Sequence, residues 1–139
     1  MCIFCKIIEG EAPAHRVYED ELTMAFLDAN PAADGHTLVV PRHHEARIER
    51  LPPEIYEAVW ASVKRLVPPI EKAMEASASN IDVHNGRAAG QLIPHVHVHI
   101  IPRRSQSSMI TDVASRMRPR SREYFEEIAE KIRGEIGEA

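Results

Sequence analysis

Apolar and polar residues alternate strictly within residues 94–100, PHVHVHI. Successive side chains of a β-strand point to opposite faces, so one face of this segment carries imidazoles and the other carries aliphatic groups. The first face comprises His95, His97 and His99, and the second comprises Val96, Val98 and Ile100. In a helix the same histidines would lie about 200° apart. The alternation, the β-branched residues and the two flanking prolines therefore predict a strand from Pro94 to Pro102.

The first half of the chain is predicted to be rich in short strands. Residues 15–19 and 22–27 have strand-like patterns on either side of an acidic turn, and residues 36–40 form a third such segment. Residues 28–35 contain Asn-Pro and Asp-Gly pairs, which are typical of a loop. Connections this short cannot hold crossover helices, so the strands are expected to be antiparallel. Ahead of them, residues 1–10 have helical apolar spacing and predict a short N-terminal helix.

A long helix is predicted to begin at residues 51–54, LPPE, because proline and acidic residues suit a first helical turn. Its apolar positions keep helical spacing up to Val67. Pro68 and Pro69 then predict a kink or a break, with the helix resuming over residues 70–75.

The remaining elements are predicted from shorter patterns. Residues 77–80 are expected to form a loop, residues 81–84 a strand, and residues 85–90 a turn that leads into the histidine strand. Residues 105–120 are polar and are a candidate mobile segment. A C-terminal helix is expected to start at Ser121 as its N-cap and to extend to Arg133.

Length and charge restrict the class of protein. A chain of 139 residues with 44% hydrophobic and 27% charged residues is typical of one globular domain. Its formal net charge of −4 argues against a nucleic-acid partner held by a basic surface. We find no apolar run long enough for a membrane span and no signal-peptide pattern in the first residues, so a cytoplasmic protein is expected.

Two groups of residues are candidates for chemistry. The three alternating histidines could be exposed surface residues, metal ligands, or a nucleophilic site in which one imidazole attacks an electrophile. Cys2 and Cys5 form a C-x-x-C pair. In a reducing compartment such a pair is expected to consist of thiols or metal ligands rather than a disulfide.

The histidine segment, with six further blocks of sequence, resembles the histidine-triad superfamily of nucleotide hydrolases and transferases. The matching blocks are CIFCKII at residues 2–8, VYED at 17–20, FLD at 26–28, GHTLVVP at 35–41, NG at 85–86 with AGQ at 89–91, and HVHVHII at 95–101. The resemblance implies an α+β fold with an antiparallel sheet of about five strands, one long helix, a short N-terminal helix and a C-terminal helix. It also implies a homodimer. Residues 1–104 would form the histidine-triad domain and residues 105–139 a helical extension of the same unit.

The resemblance further implies an activity and the residues that perform it. Family substrates are purine nucleoside phosphoramidates or dinucleoside polyphosphates, cleaved at the α-phosphorus. His97 corresponds to the nucleophile, which forms a nucleotidyl-histidine that water hydrolyses. The main-chain carbonyl of His95 would fix the tautomer of His97, His99 would bind phosphoryl oxygens, and His36 corresponds to a fourth family histidine near the nucleophile.

The nucleotide-binding residues implied by the resemblance fall into three groups. Phe4, Ile7, Phe26 and Leu27 would enclose the base, Asp28 would accept hydrogen bonds from the ribose hydroxyls, and His84, Gly90 and Gln91 would lie at the phosphates. Two positions depart from the family pattern. Leu92 replaces a Ser or Thr whose hydroxyl assists the leaving group, and His84 replaces an amide side chain. The preferred substrate can therefore differ from that of the best-known family members.

Some family members hold a structural zinc ion, and the corresponding residues here are Cys2, Cys5, His44 and His95, with His43 as an alternative ligand. No organic cofactor is expected. Two other functions stay open at this stage. The chain could be a nucleotide-binding or signalling module with little turnover, an alternative that Leu92 supports, or the triad could hold a catalytic metal ion.

Overall fold

The computed structural model describes residues 2–137, and for residues 106–108 the backbone alone. The strands of this part of the chain form one five-stranded antiparallel sheet. The order of the strands is β1-β2-β3-β5-β4. Their bounds are Arg16–Glu19 for β1, Thr23–Leu27 for β2, Thr37–Pro41 for β3, Ala78–Asp82 for β4 and Val98–Arg103 for β5. Each neighbouring pair is antiparallel, as the short connections of the first half predict.

Four α-helices and three 3₁₀ turns complete the described chain. The helices are α1 (Ile3–Ile8), α2 (Pro53–Ala73), α3 (Asp112–Met117) and α4 (Arg122–Gly137), and the 3₁₀ turns are Ile48–Arg50, Arg87–Ala89 and Gln106–Thr111. The N-cap prediction for the last helix is confirmed, because the backbone N–H of Tyr124 donates to Ser121 Oγ at 3.1 Å. This helix ends at Gly137, four residues beyond the predicted end at Arg133. Among the described helices, none has the length and apolar content that a membrane crossing requires.

The sheet is covered on both faces, which positions the histidine segment between two layers. Helices α2 and α4 pack on one face, where Leu66, Ile70 and Ile132 are fully buried against Val98 and Ile100. Helix α1 covers the other face through Phe4 and Ile7, which pack with Met24, Phe26, Leu38 and Val40. Because β2 and β3 are buried along their whole length, their sequences are almost continuously apolar. The architecture is the α+β fold that the sequence predicts.

Of the kink or break predicted at Pro68-Pro69, the break does not occur, because α2 continues to Ala73. The two prolines remove the backbone donors that would reach the carbonyls of Lys64 and Arg65. Both of those residues are exposed, so water can hydrogen-bond their carbonyl groups. Burial of the opposite face of the helix, which includes Leu66 and Ile70, outweighs the loss of two hydrogen bonds on the solvent side.

The boundaries of β4 and β5 also differ from the predictions. Strand β4 starts at Ala78, within the segment predicted as a loop, because Ala78, Ser79 and Asn80 pair with β5 despite their low strand propensity. Strand β5 starts at Val98, not at Pro94. The preceding peptide groups bond outside the sheet: the N–H of Val96 donates to the carbonyl of Glu45 at 2.7 Å. The strand also extends one residue past its predicted end at Pro102, where β5 is paired with β4 alone.

The polar segment after β5 folds back towards the loop that follows β2 and is fixed there by an ion pair. Arg103 is 7% exposed, and its guanidinium donates to both oxygens of Asp112 at 2.7 Å. Ser115 Oγ donates to the carbonyl of Pro31 at 2.9 Å. These contacts place helix α3 at the opening of a large cavity.

Candidate active site

A cavity of about 1600 Å³ opens between α1, the end of β2, the histidine segment and the C-terminal helices. Its volume exceeds the range of about 300–1,000 Å³ that is usual for small-molecule sites. His97 and His99 lie on its wall, with their ring centroids 5.0 Å apart. His36, Asp28 and His84 line the same cavity. Although only His99 of the triad lies within β5, the predicted alternation of faces persists, because Val96 and Val98 are buried in the core on the opposite side.

The tautomer of His97 is fixed by the backbone. Its Nδ1 lies 2.7 Å from the carbonyl oxygen of His95. A carbonyl oxygen can only accept a hydrogen bond, so Nδ1 carries the ring proton of the neutral imidazole. Nε2 therefore has a free lone pair. The ring is held edge-on to Phe4 at a centroid distance of 5.0 Å, which limits its rotation.

A second chain of hydrogen bonds fixes the tautomer of His99. The backbone N–H of Ala32 can only donate, and it lies 2.9 Å from Nδ1 of His36. Nε2 of neutral His36 therefore carries the proton and donates to Nδ1 of His99 at 2.9 Å. As a result, Nε2 of His99 carries a proton. This buried atom has no hydrogen-bond partner within the described residues, so a ligand oxygen would satisfy it.

Burial keeps these imidazoles neutral. It lowers the pKa of His99 to about 3, with His36 and His97 as further causes. It lowers the pKa of His36 to about 4, against the opposing effect of Asp28. The pKa of His97 is also lowered, again mainly by burial. At neutral pH His97 thus offers an imidazole lone pair to the cavity, and beside it His99 offers an imidazole N–H donor.

The four residues expected around the base form an apolar wall of this cavity. The rings of Phe4 and Phe26 meet edge to face at 5.4 Å, and Ile7 packs with them. Leu27 also lines the cavity, but its side chain packs in the core on the other face of the sheet. All four side chains are at most 7% exposed. An apolar slot of this kind suits a flat aromatic ring.

Asp28, the expected ribose ligand, has a partner that sequence reasoning missed. Its Oδ1 accepts the backbone N–H of Asn30 at 2.7 Å. Its Oδ2 lies 3.3 Å from Nη1 of Arg116 in helix α3, and 3.5 Å from Nε2 of His36. No local pattern marks Arg116 as a site residue, because its position depends on how residues 104–117 fold back.

The residues expected near the phosphates lie in different environments. His84 is beside His99, with ring centroids 5.1 Å apart, and Gly90 lines the cavity with φ +93°, a conformation that favours glycine. Gln91 does not line the cavity. Its amide instead braces the loop, accepting from the N–H of Gly86 at 2.7 Å and donating to the carbonyl of Ala46 at 2.8 Å. Leu92 is on the cavity wall and is 88% exposed.

A second cluster, which includes His95 and lies next to His97 in the chain, has the composition of a zinc site. Cys2, Cys5, His44 and His95 converge, whereas His43 is not part of the cluster. The Sγ–Sγ distance is 3.4 Å, and Nδ1 of His44 lies 3.2 Å from Nδ1 of His95. The distances from sulfur to nitrogen range from 3.2 to 3.7 Å. A tetrahedral zinc ion with ordinary bond lengths requires edges of roughly 3.3–3.8 Å.

The protonation of His95 also suits this role. Its Nε2 lies 2.8 Å from the carbonyl oxygen of Pro41 and therefore carries the proton. Its Nδ1 lone pair points at the two sulfur atoms. This arrangement is the usual one for a metal-ligating histidine, which donates its other N–H to a carbonyl group. The donor set therefore fits a structural zinc ion.

The chain is similar to known proteins in sequence and in fold. A sequence model of the HIT domain matches residues 9–106. An adenylylsulfatase of Arabidopsis thaliana is 42% identical over 108 residues, which cover 78% of this chain and 55% of that protein. An adenosine 5′-monophosphoramidase of Saccharomyces cerevisiae is 40% identical over 107 residues, covering 77% of this chain and 65% of that protein. The chain thus spans between half and two thirds of the length of these two relatives.

A solved structure of a zinc-bound histidine triad family protein from Mycobacterium smegmatis is similar over nearly the whole chain. It has a TM-score of 0.85 and 33% sequence identity, and the match covers 99% of this chain and 94% of that one. The similarity therefore includes the C-terminal helices, which lie beyond the matched domain.

Proposed function

The chain belongs to the HIT domain family, and from that premise we propose that it is a nucleotidyl hydrolase or transferase that cleaves at the α-phosphorus of a purine nucleotide. The leaving group would be an amine, a sulfate or a second nucleotide. The names of two relatives, an adenylylsulfatase and an adenosine 5′-monophosphoramidase, support a substrate with a leaving group on an adenylyl phosphorus.

The observation that carries this proposal is the complementary protonation of His97 and His99. Nδ1 of His97 is bonded to a carbonyl oxygen, and Nδ1 of His99 accepts from His36. Two neighbouring rings thus present a nucleophilic lone pair and a hydrogen-bond donor to one cavity. Such a pair suits an electrophilic phosphorus whose oxygens gain charge during the reaction.

In the proposed reaction, Nε2 of His97 attacks the α-phosphorus and forms a phosphorus–nitrogen bond. The bond to the leaving group breaks, its electron pair departs with that group, and an amine leaving group takes up one proton from solvent. The Nε2–H of His99 donates to a phosphoryl oxygen throughout. Water then attacks the same phosphorus, the phosphorus–nitrogen bond breaks, and one proton is released. The nucleoside monophosphate leaves, and neutral His97 is regenerated.

Binding of the nucleoside follows from the walls of the cavity. The base would lie against Phe4, Ile7, Phe26 and Leu27, and a ribose hydroxyl would donate to Asp28. His84 and the backbone at Gly90 would lie near the phosphates. Gln91 would act only indirectly, by bracing the loop that carries Gly90.

Cys2, Cys5, His44 and His95 would hold a zinc ion with a structural role. When bound, zinc would link helix α1 to the histidine segment, because two ligands come from the start of α1 and one is His95 itself. The backbone carbonyl of His95 would then be fixed at the position that sets the tautomer of His97.

One observation favours a second candidate function, a nucleotide-binding module with little turnover. Leu92 borders the cavity near Gly90 and His84, and its side chain cannot donate a hydrogen bond to a leaving group. Binding without turnover would not require the lone pair of His97, however, so the two functions predict different behaviour of a His97 variant.

The test is a panel of adenylated and guanylated compounds with amine, sulfate or nucleotide leaving groups. We expect His97→Ala to abolish turnover while retaining affinity for nucleoside monophosphate within about tenfold, with His43→Ala as the matched control. Wild-type binding without turnover of any compound would favour the binding module. Full activity in chelated protein that is still folded would exclude a catalytic metal on the triad.

The proposal also includes a homodimer and a cytoplasmic location. It further includes the expectation that residues 1–104 and 105–139 fold as one unit. Analytical ultracentrifugation tests the dimer. A single cooperative unfolding transition for the whole chain would support one unit, and two separate transitions would contradict it.

A further inference from the structure

A positive charge lies against the carboxylate that is proposed to bind the ribose. Nη1 of Arg116 is 3.3 Å from Oδ2 of Asp28 and 3.5 Å from Nδ1 of His36. Both of these contacts use Nη1, at one end of the guanidinium group. The side chain is 39% exposed, which makes it accessible from the cavity.

The position of Arg116 does not depend on its contact with Asp28. Helix α3 is fixed by the bidentate pair between Arg103 and Asp112 and by the hydrogen bond from Ser115 to the carbonyl of Pro31. Arg120 adds a hydrogen bond to Ser115 Oγ at 2.7 Å. The fold thus presents a guanidinium group at the ribose edge of the site whether or not Asp28 is engaged.

The arginine beside the carboxylate changes which groups a ribose can carry in this site. A carboxylate alone accepts hydrogen bonds from two free hydroxyl groups but repels a phosphate attached to either oxygen. An arginine beside the carboxylate can bind that phosphate through two parallel N–H groups, while the remaining hydroxyl still donates to the carboxylate. Dinucleotide-binding sites follow the same rule: an acidic residue at the ribose selects free hydroxyl groups, and an arginine there accommodates a phosphate on the ribose.

The cavity also has room for a group on this side of the ribose. It continues past Asp28 and Arg116 towards α4, where Arg122 and Arg133 are on its wall together with Glu126. The apolar slot and the histidines account for the base and the α-phosphate of a mononucleotide. The extension beyond Arg116 is additional space.

We propose that Arg116 makes this site selective for nucleotides whose ribose carries a phosphate on its 2′ or 3′ oxygen. This inference rests on the proposed function, because it places the ribose at Asp28. It names Arg116 as a specificity residue that touches the substrate, and it defines the substrate class as nucleoside 5′-phosphate derivatives with a second phosphate on the sugar.

The test compares three ligands by calorimetry at fixed salt: adenosine 5′-monophosphate, adenosine 2′,5′-bisphosphate and adenosine 3′,5′-bisphosphate. We expect wild-type protein to bind one bisphosphate about 10- to 100-fold more tightly than the monophosphate, the usual range for a charge-assisted contact. Arg116→Met should reduce that ratio to about one or below, and Arg116→Lys should give an intermediate ratio. Arg118→Ala, which removes an exposed charge two positions away, should keep the wild-type ratio.

The outcomes separate this inference from the proposed function. A wild-type ratio of one or less, or a ratio that Arg116→Met leaves unchanged, would overturn the selectivity while nucleotide binding and turnover stand. An equal loss in Arg118→Ala would assign the effect to overall charge and also overturn it. Failure of all three ligands to bind, with no turnover of adenylated compounds, would refute the proposed function itself. Circular dichroism confirms that each variant is folded.

Discussion

The buried pair of His36 and His99 should make the folded state sensitive to acid. The two rings share a hydrogen bond of 2.9 Å, and burial lowers the pKa of His36 to about 4 and that of His99 to about 3. In the unfolded chain both groups have a pKa near 6.5. Between pH 6.5 and 4 the unfolded chain therefore binds protons that the folded protein does not, and acid favours unfolding.

The magnitude follows from proton linkage. Each of the two histidines should remove about 2 kcal/mol from the free energy of unfolding between pH 8 and pH 5, or about 4 kcal/mol together. This stability is fully present above pH 6.5 and is lost as the pH falls towards 4. The charged neighbours of the pair partly oppose each other, since Asp28 raises the pKa of His36 and Arg116 lowers it.

The assay is urea unfolding between pH 5 and 8 for wild type and His36→Gln, whose amide can still donate to His99. We expect the variant to lose about 2 kcal/mol less than wild type between pH 8 and 5, because one proton-binding group has been removed. Since position 36 is not in the cysteine–histidine cluster, any loss of zinc in acid affects both proteins and cancels in the difference. Equal losses in the two proteins would refute the reasoning.

Three further predictions concern the zinc cluster, the core and the ion pair. Cys5→Ser should reduce bound zinc from about one per chain to near zero and lower the melting temperature by about 5 °C or more, whereas His43→Ala should keep the metal; equal zinc contents would contradict the ligand set. Leu66→Ala should lower the free energy of unfolding by about 3 kcal/mol in urea, because Leu66 is fully buried; a loss below about 1 kcal/mol would be inconsistent with its place in the core. Asp112→Asn should lower the free energy of unfolding by about 2 kcal/mol in the same assay, because the buried charge of Arg103 would lose its carboxylate partner. An unchanged free energy of unfolding would show that the ion pair contributes nothing to stability.

Much of the fold follows from local patterns. The alternation around His97 predicts that the histidines face away from the core formed by their aliphatic neighbours, and Val96 and Val98 are buried in that core as expected. The helical spacing of α1 predicts that Phe4 and Ile7 share its buried face. In both cases the periodicity of the element determines the face, so a short window of sequence contains the information.

Other features depend on contacts between distant residues and have no local signal. The start of β5 is set by the backbone of Glu45, which takes the N–H of Val96 away from the sheet. The continuity of α2 through Pro68 is set by burial of its opposite face. The place of Arg116 is set by an ion pair between Arg103 and Asp112. None of these interactions is periodic, so the pattern of apolar residues does not reveal them.

The candidate site likewise combines features that motifs predict with features that depend on contacts between distant residues. The resemblance to the histidine-triad superfamily identifies the nucleophile candidate and the cysteine–histidine set from motifs alone. The same resemblance implies the tautomer of His97, and Nδ1 of His97 lies 2.7 Å from the carbonyl oxygen of His95. The tautomer of His99 does not follow from motifs, because it depends, through His36, on the N–H of Ala32. Those two backbone groups determine which ring can attack and which can donate.

The most direct test of the account is to trap the covalent intermediate. Wild-type protein would be mixed with an adenylated substrate, quenched under denaturing alkaline conditions within the first turnover, digested and analysed by mass spectrometry. The account predicts an adenylyl group on the peptide that contains His97, and no such group in His97→Ala. Full turnover with the adenylyl group on another residue, or with no adduct formed at all, would contradict it.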